Sequence, residues 1–583
     1  FDRFVSCLIY IPRERYNTAV RERLQALLME AFDGSDSEFQ AQVSESLLAR
    51  ILVIVRTPDG VPDDLAVDAL EAKITELAQT WADRLHEALL ETAGEEEGNR
   101  LYRQFARAFP LAYQERVPAR AAVPDIHMMD RLHKTGSERL AMTLYRRLED
   151  RPEIVRFKLI RPNQPLFLSD ALPILEDMGL KVLYEEPHRI CTGDGSVFAM
   201  HDFGMRVTQG GTVDVDARRD AFQEAFERIW SGSVENDGFN RLVLAAGLDA
   251  DDIVVLRAYC KYMLQLGSPF SQAYIEDTFT SNPAIAADLV ALFNTRFDPA
   301  FAGDRDAAAA AITTRIEQGL ELVAILDEDR ILRRYLGLIK ATLRTNAFQQ
   351  QADGSTKDYL SFKVNPAMVP DMPLPRPAFE IFVYGPSVEG VHLRGGKVAR
   401  GGLRWSDRRE DFRTEILGLM KAQMVKNGVI VPVGAKGGFF VKRPPESGDR
   451  QAMVDEAIRC YRMFLSGLLD ITDNQVKGEA VPPAGVVRYD EDDPYLVVAA
   501  DKGTATFSDI ANAVSRDYGF WLDDAFASGG SAGYDHKGMG ITAKGAWESV
   551  KRHFRELGMD PAVDPFTVIG IGDMSGDVFG NGM

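Results

Sequence analysis

The 583-residue chain is 45% hydrophobic and 26% charged, an ordinary composition for a soluble globular protein, and it is too long for a single core. Its net charge of −20 argues against nucleic acid or an anionic membrane surface as the main partner, because both reward a basic surface. No stretch approaches the ~20 uninterrupted apolar residues of a membrane helix. A soft prior of about 150 residues per domain predicts three to five domains.

Four dispersed cysteines (Cys7, Cys191, Cys260 and Cys460), with no CxxC pair, read as reduced thiols of a cytoplasmic protein. The eight histidines show no HExxH or similar spacing, so no metal site is expected. The first residues, Phe1-Asp-Arg-Phe-Val, lack an initiator Met and a signal-peptide pattern. Phe1 is therefore expected to begin a fragment, or the ordered part of a longer polypeptide.

Residues 4–13 read as a strand, and Asn17 is placed to cap a helix over 18–33 with Leu24, Leu27, Leu28 and Phe32 on one face. Strands over 39–43 and 49–57 and a helix over 65–92 follow, giving the β-α-β-β-α order of a small ferredoxin-like sandwich. A second round begins at Val155, with a helix near 168–179 and strands over 181–186 and 197–203. Both rounds resemble ACT domains, which often bind amino acids as regulators. A structural or oligomerising role is the competing reading.

From 217 to 347 the chain reads as almost wholly helical, with one helix opened by Ala307–Ala311 after Asp306. The polar stretch from Gln349 to Thr356 reads as a linker or hinge. Proline-rich 370–377 then leads into a strand over 379–384.

Between Arg394 and Lys442 stand eleven Lys or Arg against four Asp or Glu, a local reversal of the acidic average. Arg408, Arg409 and Arg413 are expected on a solvated helix face. The other cations sit beside glycines. Ser406 or Asp407 is placed to cap a helix buried along Phe412, Ile416, Leu419, Met420 and Met424, which ends at Asn427-Gly428. A buried strand over 429–433 should then deliver Lys436 to its end among Gly434, Gly437 and Gly438. Glycine admits close backbone approach to a ligand, a rigid strand fixes the amine, and neighbouring cations in a low-dielectric pocket tune it for acid–base work.

The runs Arg400-Gly-Gly-Leu-Arg-Trp405, Met420-Lys-Ala-Gln-Met-Val-Lys-Asn427, Pro432-Val-Gly-Ala-Lys-Gly-Gly438 and Ala499-Ala-Asp501-Lys-Gly-Thr504 resemble, in order and spacing, the glutamate dehydrogenase signature. With Trp405-Ser-Asp-Arg-Arg-Glu-Asp-Phe412 they look like the large bacterial NAD-dependent forms, long chains with extended regulatory N-terminal regions. The specific resemblance covers about residues 390–583.

It implies catalytic roles for Lys436, which polarises the substrate carbonyl or activates the attacking water, and for Asp501, the general acid/base. Lys426 is implied for one substrate carboxylate. Arg400 stands where smaller members have a lysine for the other, and Lys397 competes for that role. Lys426 has an alternative as a helix-end lysine facing the dipole, and Asp501 as a turn aspartate.

After a glycine-rich loop from Ser528 and a helix over 543–557, a strand from Phe566 leads into Gly570-Ile-Gly572-Asp-Met-Ser575. This is the strand–turn context of a dinucleotide phosphate loop, in which Asp573 and Asp577 must point away from the phosphates. The resemblance adds Thr542 near the cofactor. Chain end Met583 precedes the acidic residue expected for the ribose, so the chain alone is expected to be inactive.

The expected architecture is multidomain α/β. It comprises an ACT-like α+β module with a helical extension (1–150), a second ACT-like module (151–216), a helical region (217–355), a substrate-binding domain with a parallel-containing sheet (356–519) and the start of a Rossmann domain (520–583). The implied reaction is oxidative deamination of L-glutamate to 2-oxoglutarate and ammonia with NAD, in a cytoplasmic homo-oligomer that takes an amino-acid effector at its ACT-like modules. A related amino-acid dehydrogenase would need an apolar pocket in place of Arg400 and Lys426. A sensing or assembly module would leave Lys436 exposed and unpaired.

Overall fold

The computed structural model describes residues 3–43, 46–62, 65–136, 139–426, 433–446, 448–499, 501, 506–532 and 536–569, without the side chains of 425, 426, 536 and 537. The chain divides into two compact units, residues 1–171 with 182–206 and residues 172–181 with 207–583. Among the described residues no helix is long and apolar enough to cross a membrane.

In the first unit, strands β1 (Phe4–Pro12), β2 (Asp36–Gln42) and β3 (Leu48–Arg56) form an antiparallel sheet in the order β1-β3-β2. Alternate residues of β1 and β3 face inward, so Ile9, Ile11, Ile51, Val53 and Val55 meet Leu24 and Leu28 of the Thr18–Ala31 helix. Asn17 caps that helix, its Oδ1 accepting from the Val20 N–H at 2.9 Å. The expected 65–92 helix is two helices, Val67–Ala78 and Trp81–Ala93. Thr80 and Asp83 form a reciprocal capping box that starts the second, and such local bonds outcompete the through-going helix.

The second sheet contains β4 (Ala141–Tyr145), β5 (Ile154–Pro162), β6 (Leu180–Cys191) and β7 (Val197–Val207), in the order β4-β5-β7-β6. Its β5-β7-β6 part repeats β1-β3-β2, so the repeat in element order is also a repeat in topology. Strand β4 pairs with the outer edge of β5.

The second unit carries a helical region that includes Val215–Trp230, Ala250–Gln265, Pro283–Phe297, Arg305–Leu320 and Leu326–Ala341. The helix expected to open at Ala307 starts two residues earlier, at Arg305, and is capped by Asp304, whose Oδ1 accepts from the Ala307 N–H at 3.0 Å. The polar 349–356 stretch, expected as a linker or hinge, is held by hydrogen bonds at its start. Gln349 Nε2 donates to the Asp470 and Ala484 carbonyls at 3.1 and 2.9 Å, and Gln350 bridges to Thr356.

Strands β8 (Thr342–Thr345), β9 (Leu360–Val364), β10 (Phe379–Tyr384), β11 (Val388–Arg394), β12 (Ala399–Arg400), β13 (Leu403–Ser406) and β14 (Val433–Val441) build the main sheet, ordered β12-β14-β11-β10-β9-β8. The β8–β11 ladders and β11–β14 are antiparallel, whereas β12 and β13 both run parallel to β14. The expected sheet containing parallel strands is therefore present, with β14 its pivot.

The Phe412–Lys426 helix packs on one face of β14, and the Arg450–Leu469 helix covers the other through Tyr461, Phe464, Leu465 and Leu468. Four expectations change here: Met424, expected on the buried face of the first of these helices, is 36% exposed. The first helix starts at Phe412, so neither Ser406 nor Asp407 is its cap, and Ser406 Oγ instead donates to Glu415 at 2.7 Å. Arg413 is not on a solvated face: it is fully buried and forms a two-pronged pair with fully buried Glu380, at 2.6 and 2.7 Å. Phe566–Ile569 forms no ladder among the described residues, and Ile569 is 88% exposed. A strand exists only through a paired neighbour, and none is described there. The Asn427-Gly428 helix end and residues 429–432 lie outside the described residues.

A buried pair costs most when one partner is removed, because the other charge is stranded. Glu380→Ala should lower stability by about 3–5 kcal/mol, and the double variant Glu380→Leu/Arg413→Met should recover most of that loss. Calorimetric unfolding of the full-length protein checks this; an equal loss in single and double variants would show that the pair is not the cause.

Candidate active site

The glycines around Lys436 answer to packing. In β14 alternate residues share a face, which puts Gly434, Lys436 and Gly438 together on the side of the Phe412–Lys426 helix. A Cβ on Gly434 would stand 2.6 Å from the Gln423 carbonyl carbon, and one on Gly438 would stand 2.4 Å from Ile416 Cδ1. On the adjoining segment, a Cβ on Gly401 would fall 1.4 Å from the Ala435 carbonyl oxygen. These glycines let a helix and a neighbouring chain segment close onto β14, and protein atoms fill the space expected for a ligand. Lys436 also lies in mid-strand, opposite Leu393 of β11, and not at a strand end.

The lysine is 5% exposed. A buried ammonium without a counter-charge is expensive, and here Nζ pairs with Asp501 Oδ2. Asp501 lies just past β17 (Val498–Ala499; the hairpin strands β15, Asn474–Val476, and β16, Glu479–Val481, precede it). Strand β17 runs parallel to β18 (Ala527–Ser528), with Val498 opposite Ala527 and Ala499 opposite Ser528. Arg400 ends β12 opposite Gly434, is exposed, and donates from Nη2 to Ser528 Oγ at 3.4 Å. The structure thus brings Asp501 and Arg400, at the ends of β17 and β12, to the part of β14 that carries mid-strand Lys436, and the β17/β18 ladder links them.

The segment that leads into β17 is anchored electrostatically. Lys363 Nζ contacts Asp490 and Asp493 at 2.6 and 2.7 Å, and Arg344 reaches Asp473 at 2.9 Å and Asp490 at 2.5 Å. Arg394 closes the network on Asp493 through Nη1 at 3.0 Å. Burial alone would raise the Asp493 carboxyl, but Arg394 and Lys363 outweigh it and hold the group well below the usual carboxylate range. Three cations and three carboxylates tie residues 473–493 to β8, β9 and β11.

The remaining expected residues are not all in that group. Lys397 pairs with Glu491 at 2.6 Å on the surface. Lys426 ends its helix, and its side chain lies outside the described residues, as do Gly570, Gly572 and Ser575. Thr542 is the second residue of the Ile541–Glu556 helix, after Gly540 at φ 60°. Cavities of about 340, 590 and 700 Å³ in this unit are not lined by Lys436, Asp501 or Arg400. Among the described residues no group of three His, Cys, Asp or Glu is arranged for a metal ion.

Sequence reasoning did not single out His392, Asn512 or the hydroxyl of Ser528. His392, opposite Gly437, is 1% exposed, and burial followed by the Arg394 charge pushes its ring down to about 3, so it is neutral. Ser528 lay inside the glycine-rich stretch already noted; a lone helical asparagine carries no comparable signal.

Comparison with known proteins places these observations in one family. The description "Bacterial NAD-glutamate dehydrogenase, catalytic domain" matches residues 315–583. Upstream, glutamate dehydrogenase ACT2, helical motif 2, ACT3 and helical motif 3 match residues 1–82, 88–132, 139–218 and 234–299. The NAD-specific glutamate dehydrogenases of Halomonas elongata and Pseudomonas aeruginosa are each 52% identical over 586 residues, covering 100% of this chain and 36% of each relative. That of Mycobacterium tuberculosis is 49% identical over 610 residues, covering 100% of this chain and 37% of the relative. The chain spans about a third of the length of the curated relatives it matches, 36–37%. By fold, by motif order and by whole-chain identity, the chain belongs to the bacterial NAD-glutamate dehydrogenases.

Proposed function

We propose that this chain carries the substrate half of an active site that converts L-glutamate and water to 2-oxoglutarate and ammonia with NAD as hydride acceptor. The observation that carries the proposal is a mid-strand, nearly buried lysine paired with an aspartate 65 residues away. The relatives' name, NAD-specific glutamate dehydrogenase, supports the same reaction and cofactor.

In this reading Lys436 and Asp501 divide the proton work. Asp501 accepts a proton from the substrate amine, which must be neutral before hydride can leave the α-carbon. Bound NAD supplies the hydride acceptor. Lys436 hydrogen-bonds the water that adds to the iminium carbon and releases its two protons to solvent, and then the oxygen of the 2-oxo group as it forms. Asp501 returns a proton to the departing nitrogen. Because the two groups are already paired, each is oriented before substrate arrives, and no reorganisation is needed at the reacting atoms.

Arg400 and Lys426 are the proposed carboxylate partners. A guanidinium offers a two-pronged, charge-assisted bond, and its neighbour Ser528 keeps that corner polar, which favours a dicarboxylate over an apolar side chain. The pairing and burial of Lys436 also speak against a purely sensing module.

For the cofactor, the Ile541–Glu556 helix begins after Gly540 with no side-chain cap and no acidic residue in its first turn. Such an end suits an anionic group, so Thr542 and that turn fit one part of a dinucleotide, with Gly570, Gly572 and Ser575 proposed for the pyrophosphate.

The division into 1–150, 151–216, 217–355, 356–519 and 520–583, with 520–583 as the start of the dinucleotide domain, belongs to the same proposal. So do an amino-acid effector at the ACT-like modules, a homo-oligomer and a cytoplasmic location.

In the full-length protein, Lys436→Ala should lower kcat/KM for 2-oxoglutarate with ammonium and NADH by about a thousandfold or more, as expected for a proton-transfer group. Turnover comparable to wild type would sink the mechanism. Arg400→Leu should raise the KM for 2-oxoglutarate by about 10–100-fold, the loss of one charge-assisted pair, and affect the monocarboxylate 2-oxobutyrate much less. Equal effects on both substrates would show that Arg400 does not read the second carboxylate.

A further inference from the structure

The Ser508–Asp517 helix does more than pack. Its first five residues present three polar side chains to the backbone of residues 527–531. Asn512, 2% exposed, accepts from the Ala527 N–H at 2.7 Å and donates from Nδ2 to the Ala527 carbonyl at 3.1 Å. Ser508 Oγ donates to the Ser528 carbonyl at 3.0 Å. Asp509 Oδ1 accepts from the Ser531 N–H at 2.7 Å and from its hydroxyl at 3.0 Å. Gly530 lies beneath this grip, where a Cβ would stand 2.9 Å from Asp509 Oδ1 and 3.0 Å from Asn512 Nδ2.

The ladder so held is minimal. Strands β17 and β18 share two residue pairs, and a short parallel pairing has little cohesion of its own. Yet two of the proposed site residues depend on it, Arg400 through its bond to Ser528 and Asp501 through its place just past β17. The Asn512 amide bonds both the donor and the acceptor of one residue, as a neighbouring strand would. Among the described residues it takes the place of a third strand on that edge of the ladder.

We propose that Asn512 is a positioning residue of the substrate site. By clamping Ala527 it holds Ser528 at Arg400 and, through β17, holds Asp501 at Lys436. The inference rests on the reading of Lys436, Asp501 and Arg400 as the substrate site. It assigns the glycine-bearing segment 528–532 to alignment of the dicarboxylate site, with Ser508 and Asp509 as lesser members of the clamp.

The test is steady-state kinetics of the full-length protein with 2-oxoglutarate, ammonium and NADH. Asn512→Ala should raise the KM for 2-oxoglutarate by about tenfold or more and lower kcat, as a small misplacement of reacting groups does, with the KM for NADH within about twofold. Should that variant fail to fold, Asn512→Asp keeps the shape and the acceptor for the Ala527 N–H but loses the donor. It should give a smaller rise in the same KM, and Ser508→Ala a smaller one again. A fall in kcat with the 2-oxoglutarate KM unchanged is what loss of folded protein alone produces, and it would overturn the proposal, as would wild-type constants. Wild-type turnover in Lys436→Ala and Asp501→Asn would remove the underlying site reading. Inactive Lys436 and Asp501 variants beside Asn512 variants of unchanged KM would remove this proposal alone.

Discussion

A lysine amine inside a sheet demands a counter-charge, and the sequence neighbours of Lys436 are Ala435 and Gly437, which have none to offer. The counter-charge comes from Asp501. Much of the second unit's architecture follows from getting these two groups to the same place. Gly434 and Gly438 let the Phe412–Lys426 helix settle on the lysine's face of β14, and Gly401 lets the segment after β12 pass against Ala435. The Arg450–Leu469 helix closes the opposite face. A single methyl group at Gly401 would prevent the approach that places Arg400 beside β14.

The aspartate arrives by a different kind of restraint. Residues 473–493 carry little regular structure beyond a short hairpin, so hydrophobic burial alone would hold them weakly. Instead Asp473, Asp490 and Asp493 are pinned to Arg344, Lys363 and Arg394 of the main sheet. Fully paired networks of this kind add little net stability over an apolar core, but they penalise every arrangement that leaves one charge alone. The network therefore selects one path for the chain into β17, and Asp501 inherits that precision.

What the chain displays locally was readable. The strands β1 and β3, the Asn17 cap and all of the apolar stripe of the 412–426 helix except exposed Met424 depend on near neighbours, and each element formed close to its expected bounds. The joint placement of Lys436, Asp501 and Arg400 was legible as well, through motif order. The failures share a cause, a partner far away in sequence. Arg413 looked like a surface cation because Glu380, 33 residues off, is invisible to local pattern. The glycines beside Lys436 looked like a ligand turn because the helix and strand that fill their space come from elsewhere in the chain. Parallel pairing of β12 and β13 with β14 likewise has no local signature. The split of the 65–92 helix is the exception, since Thr80 and Asp83 were in plain view. There, helical periodicity was given more weight than a capping pair.

The central claim is that the Lys436–Asp501 pair is the point at which the 2-oxo acid is handled. A structure of the full-length protein bound to 2-oxoglutarate tests it most directly. The account predicts the 2-oxo oxygen within about 3 Å of Lys436 Nζ, Asp501 beside the same carbon, and one carboxylate at Arg400. Ligand bound elsewhere, with the Lys436–Asp501 pair intact and untouched, would contradict it.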